Sequence, residues 1–320
     1  MNKANFYSSE IGQNQTLYFD PTTYVPADVN HGGRVLFELD GTKRAYLPNM
    51  RLLNVGVDSA SGSAMLYNDL VGAAVVIDSI HLYDGKTELS GINRHQLYKG
   101  FLNQRNTNAY NTTVDSKLGK NSLGWAVEGV SRQVGRVEVS EGSTSYGHLD
   151  LAKVLPLLLE IQILPTALFP NLNIRINLNG KLGSQILNDV SVVPVSVRPI
   201  LAADVIDDVK VIAGMVKSLG PGLTWSEVEH DRFYIDGKPT ASPTTTADQL
   251  KKQTVNVTLN GFNNKHLERI LIVKELTEPD LEVNTNIVKG FGRYGSPSCF
   301  RQQLQINVNG SSVLPNQGII

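Results

Sequence analysis

The sequence predicts an all-β sandwich with a few short helices, and three observations carry that expectation. Apolar and polar residues alternate with period two in many short runs, the mark of half-buried strands. Asp-Gly pairs sit between such runs at Asp84-Gly85 and Asp236-Gly237, a strong short-range hairpin signal. Helical patterns are few and brief. The composition agrees: charged residues are only 18% of the 320, below the usual quarter, while Gly, Asn, Thr and Val are plentiful.

Taken in order, the first alternating run is Arg34 to Leu39, "RVLFEL". "GAAVVIDSIHLYDGKTEL" reads as a long strand, a turn at Asp84-Gly85 and a return strand. "GINRHQLYKGFLNQRN" is a first helical candidate. "LDLAKVLPLLLEI" is a second, with Asp150 where a cap belongs and apolar residues on every side. It opens the most apolar stretch of the chain, Leu149 to Pro170, and "NLNIRINLNG" follows it as an unbroken alternating strand. In that strand Leu172, Ile174, Ile176 and Leu178 form one inward face. Further strands are expected at Val190 to Val197, Thr254 to Leu259 and Gln303 to Val308.

"DVIDDVKVIAGMVKSLGPG" predicts a third helix, with Asp204, Asp207 and Asp208 at its positive end. Capping explains those carboxylates better than metal binding does. Gly220-Pro221-Gly222 stops that helix and marks the best domain boundary. "EVEHDRFY" (227–234) alternates as a strand with its charges outward, and 238–249 is a Pro/Thr loop. "RINLNG" at 175–180 and "QINVNG" at 305–310 match closely, so a duplicated β-domain and chance recurrence in an Asn-rich chain both stay open.

Could the apolar stretch cross a bilayer? A span needs about 20 apolar residues. This one holds Asp150, Lys153 and Glu160 and is broken by Pro156, Pro165 and Pro170. Charges near a helix centre cost roughly 2.5–3.5 kcal/mol each. A membrane span is excluded. The N-terminus is polar and shows no apolar core of a signal peptide, so no secretory signal is expected.

Chemical signatures are equally scarce. "GFGRYG" (290–295) spells the dinucleotide fingerprint, but Ser296-Pro297-Ser298 follows where a helix must begin. "DGKT" (84–87) has the tail of a phosphate loop with isoleucine at position 80 and a hairpin around its lysine. The six histidines, at 31, 81, 95, 148, 230 and 266, never fall three to five residues apart, so no helix presents a zinc pair. The single Cys299 rules out an internal disulfide and lacks a local helix signal to activate it. Catalytic, cofactor and metal sites are therefore not expected, and the chain is read as not an enzyme. Formal net charge is −1, so specific nucleic-acid binding is not expected either. Trp125, Trp225 and eleven tyrosines keep a carbohydrate-binding sandwich open as an alternative.

Two segments carry a family resemblance. "LDLAKVLPLLLEIQILPTALFPNLNIRINLNG" resembles a segment of double jelly-roll major capsid proteins, the adenovirus-type lineage, where a short helix and a Leu-Pro-X-X-Leu-Phe-Pro stretch precede a first-barrel strand. "QLQINVNGSSVLPNQGI" resembles a strand and turn of the second barrel. The compact length is similar to that of lipid-containing phages. The resemblance implies two eight-stranded jelly rolls side by side. Residues 1–30 would form an N-terminal arm, 31–220 the first jelly roll with helical insertions, and 221–320 the second. It implies a homotrimer tiling an icosahedral capsid as a pseudo-hexagonal unit, made in the host cytoplasm and located in the virion. Expected partners are further copies, penton and minor capsid proteins, and lipids of an internal membrane. One departure stands out: only about five strands can be counted after Pro221, short of eight. The residues singled out as structural or interface candidates are Leu149, Leu155, Leu157, Leu164, Pro165, Phe169 and Pro170. A minor virion or spike protein is the alternative within the same class.

Overall fold

The computed structural model describes residues 15–27, 31–41, 43–59, 65–68, 76–95, 98, 130–133, 136–139, 144–161, 163–180, 194–196, 198–219, 224–230, 258, 266–270, 307–308 and 311–312. The strands run in chain order as β1 (Gln15–Phe19), β2 (Thr23–Val25), β3 (Arg34–Glu38), β4 (Ala45–Tyr46), β5 (Arg51–Ser59) and β6 (Met65–Asn68). There follow β7 (Ile77–Asp84), β8 (Thr87–Ile92), β9 (Val130–Gln133), β10 (Arg136–Val139) and β11 (Thr144–Asp150). Helix α1 (Pro156–Glu160) precedes β12 (Leu164–Pro165), β13 (Leu172–Leu178), β14 (Pro194–Ser196) and β15 (Ile200–Ile206). Helix α2 (Val209–Leu219) comes next, then β16 (Asn307–Val308) and β17 (Ser311–Ser312).

Two antiparallel sheets dominate. One has seven strands, ordered β11-β5-β15-β4-β12 with β1 added on β15 and β14 on β5. The other has five, ordered β2-β3-β13-β7-β8. Their registers are nested. Val35 pairs with Ile176, Ala45 with Pro165, Leu52 with Leu149 and Leu66 with Glu138. Moving forward from β3 therefore means moving backward from β13, through β4/β12 and β5/β11 to β6/β10. This is one long antiparallel ribbon that passes from the five-stranded sheet into the seven-stranded sheet and on to a small third one. On its other side β13 pairs with β7.

Alternation explains why the sheets stack. Val35, Phe37, Ile80, Leu82, Ile174 and Ile176 point inward from the five-stranded sheet. Tyr46, Leu52, Leu149, Leu201, Ala203 and Val205 meet them from the seven-stranded sheet in one continuous core. Each large aliphatic side chain so buried contributes about 1.5–3 kcal/mol. The Tyr46 hydroxyl satisfies itself on the Asp40 carbonyl at 2.8 Å, and burial pushes it up to about 12.

The other face of the seven-stranded sheet is covered locally by α2. Val211, Ile212, Met215 and Val216 form a stripe at helical spacing and pack on Ala45, Leu47, Ile163 and Ile206. Asp208 caps this helix: its Oδ1 accepts from the Lys210 N–H at 2.8 Å and the Val211 N–H at 3.2 Å. Asp208→Ala is expected to cost about 1 kcal/mol, read as a lower urea midpoint at unchanged slope.

Several expectations need correction. Asp204 is not a helix-start residue; it lies in β15 and accepts from Thr16 Oγ1 at 2.6 Å and from Asn49 Nδ2. Asp207 faces Arg44 at 3.6 Å. The extended β-run continues to Ile206, so only the last of the three carboxylates reaches the helix end. The β7–β8 turn is Gly85-Lys86 rather than Asp84-Gly85, because Asp84 still pairs with Thr87. Gly85 has φ +59°, which the first central position of a primed hairpin turn demands. Residues 224–230 are irregular, not a strand, because their contacts go to another part of the chain and not to a ladder.

Residues 15–25, within the stretch read as an arm, are strands of both sheets. For the helical reading of "GINRHQLYKGFLNQRN", the Tyr98 N–H donates to the Arg94 carbonyl at 3.2 Å, and most of that stretch lies outside the described residues. The strand at Thr254 to Leu259 apart from Thr258, the Asp236-Gly237 hairpin, the Gly-rich 290–295 loop and Cys299 also lie outside them. Of the second barrel expected over 221–320, the described part comprises 224–230, 258, 266–270 and the antiparallel pair β16–β17. Among the described residues no helix is long and apolar enough to cross a membrane.

Candidate functional site

The stretch Leu149 to Pro170 divides between core and surface. Leu149 is the penultimate residue of β11, and Asp150 Oδ1 accepts from the Ala152 N–H at 3.1 Å to cap a 3-10 turn, Leu151–Lys153. Pro156 opens α1, where its missing N–H costs nothing. Leu149, Leu155, Leu157 and Leu164 are at most 1% exposed and belong to the main core. Pro165 is buried in the β12 pair with β4, Phe169 packs half-buried against the core, and Pro170 is exposed. Four of the seven candidates are thus wholly internal to one chain. The surface of this segment is offered instead by Leu159, 71% exposed, and Leu168, 44% exposed.

A second surface emerges only from the strand order. The outward residues of the five-stranded sheet line up in rows across it. One row runs Thr23, Leu36, Arg175, His81, Gly91; the next runs Glu38, Asn173, Tyr83, Glu88. Arg175 lies over the Tyr83 ring, 4.1 Å from its centroid, and donates to Gly85 O at 3.1 Å and Asn173 Oδ1 at 3.0 Å. His81 Nδ1 is 2.8 Å from Glu88 Oε1, and the Tyr83 hydroxyl donates to Glu88 Oε2 at 3.2 Å. Burial, then the Glu88 charge, raises the Tyr83 hydroxyl above its usual value. Gly91 is what leaves room: a Cβ there would lie 2.3 Å from both His81 Nδ1 and Glu88 Oε1.

Alongside these rows lies an open groove of about 970 Å³, bordered by Arg34, Glu38, Tyr83, Asn171 and Arg175 among others. Its planar amide and guanidinium groups can form directional hydrogen bonds, and the Tyr83–Arg175 stack gives it a rigid wall. His81 and Tyr83 on its border are both engaged with Glu88. Sequence reading placed Arg175 and Tyr83 in strands. It missed their assembly, because β13 and the β7–β8 hairpin, far apart in the chain, build the face together. Among the described residues no group of three or more His, Cys, Asp or Glu is placed to hold a metal ion. No family model matches the chain, and a search of the curated proteins finds no match.

Proposed function

We propose that this chain is a structural capsid protein of the double jelly-roll kind. It would act as a homotrimer that tiles an icosahedral virion in pseudo-hexagonal units, around an internal lipid membrane and beside penton and minor proteins. The observation that carries the reading is the nested register from β3/β13 to β6/β10. A jelly roll is such a ribbon wrapped so that its pairs fall on two facing sheets. The resemblance at Leu149–Gly180 supports the same reading, since α1 and the "LPTALFP" stretch directly precede β13. In this reading function resides in subunit contacts, and among the described residues of that segment Leu159 and Leu168 are the large apolar side chains exposed to make them.

Light scattering and electron imaging of the purified chain test it. A trimer with a pseudo-hexagonal outline and two barrels per subunit is the expected result; a stable monomer, or one barrel per subunit, refutes it. The groove beside Tyr83 and Arg175 favours one alternative, a carbohydrate-binding sandwich. A monomer that binds a glycan array, with binding lost in Tyr83→Ala, would establish that alternative.

A further inference from the structure

Residues 224–230 follow the Gly220-Pro221-Gly222 break and reach back onto the first sandwich. Three consecutive residues make the contact. Trp225 packs half-buried against the main core. The Ser226 N–H donates to Glu160 Oε2 at 3.0 Å, at the end of α1. Glu227 Oε2 accepts from the Gly91 N–H at 3.4 Å. Gly91 belongs to β8, which among the described strands comes last in the order of the five-stranded sheet, so the donated N–H lies on that edge. An edge N–H left open invites pairing with another strand. Here a carboxyl group occupies it, beside a tryptophan seated in the core.

We propose that residues 224–230 form a pH-responsive strap, seated on the β8 edge by Trp225 and Glu227 and on α1 by Ser226, that closes in acid and loosens as pH rises. The groups around the seat set the direction. Although Glu227 as a residue is exposed, its carboxyl is set against the strand edge, and this burial raises it above its ordinary value of 4.5. The Gly91 N–H and the nearby Ser90 and Trp225 side chains offset part of the rise, and the Glu88 carboxylate on the same strand adds to it. Glu88 is in turn held by His81 and Tyr83 on β7. Glu160 is the charged group that α1 brings to the seat, and Glu229 and His230 continue the strap. A proton thus binds more readily to the seated strap than to a free one. Its contribution to seating is complete below the ordinary glutamate value and is lost as pH rises through the raised one.

Trp225 reports the seat directly, since the chain has two tryptophans and Trp125→Phe leaves it alone. Acrylamide quenching of that full-length variant between about pH 4 and pH 8 should increase with pH. The ratio of free to seated strap should change by at most about tenfold per pH unit, the limit for one linked proton. Adding Glu227→Gln should keep Trp225 shielded and flatten the profile. In the unaltered chain, amide exchange over Thr87–Ile92, corrected for intrinsic rates, should slow on acidification. Quenching that is equal at every pH, or a profile that Glu227→Gln leaves unchanged, overturns the proposal. Should Trp125→Phe not fold, the exchange profiles of the unaltered and Glu227→Gln chains decide: identical pH dependence overturns it. These measurements need only a single folded chain, so their outcome is independent of the capsid reading.

Discussion

Leu157→Ala is expected to lower the free energy of unfolding by about 2–5 kcal/mol, the range for truncating a fully buried leucine. Leu157 sits in α1 with none of its surface exposed, and the core around it includes residues of both sheets. Removing its isobutyl group leaves a cavity between elements that are fixed by ladder hydrogen bonds and cannot collapse freely onto it. Urea unfolding followed by circular dichroism measures the effect, and a loss below about 1 kcal/mol would contradict the packing described. The neighbour Leu159 is the control. It is 71% exposed, so Leu159→Ala should change stability by no more than about 0.5 kcal/mol. Under the capsid proposal the same change should weaken trimer formation, a readout that separates contact from core within one short helix.

Ile174→Asp should be more damaging still, at about 4 kcal/mol or more, because it places a carboxylate where no partner can reach it. Ile174 is fully buried at the centre of β13, between Phe37 of β3 and Leu82 of β7. Its neighbour Arg175 points to the opposite face, over the Tyr83 ring. Arg175→Ala should remove that stack and two hydrogen bonds yet leave a folded chain, at a cost of about 1–2 kcal/mol. Thermal unfolding of both variants checks the face assignment. Equal effects would mean that the register of β13 is displaced by one residue.

Much of the local structure was legible in the residues themselves. Period-two alternation located β3, β7 and β13, and assigned Leu172, Ile174, Ile176 and Leu178 to the buried face. Asp150 foretold a helical cap and Asp84-Gly85 a hairpin, while the single helix expected after Asp150 is split into a 3-10 turn and, from Pro156, α1. The misreadings share a cause. Asp204, Asp207 and Asp208 are spaced as a helix start, but β15 holds the chain extended through Ile206, since Val205 is needed in the core and Ile206 under α2. The alternation at 227–230 looks like a strand, yet Ser226 and Glu227 find partners on α1 and β8, and residues 224–230 form no ladder.

The sequence by itself determined an antiparallel β protein with brief helices, the inward and outward faces of its clearest strands, and the core character of Leu149–Leu164. Those follow from side-chain periodicity, which acts over a few residues. Only the tertiary structure decided that β3 pairs with β13 and β5 with β11, that β13 lies between β3 and β7, and that Arg175, Tyr83, His81 and Glu88 therefore share one face. Strand partners are chosen by shape and burial across well over a hundred residues of chain in the case of β3 and β13. Local pattern carries no record of that choice, so the fold class was readable while the neighbours that build the surface were not.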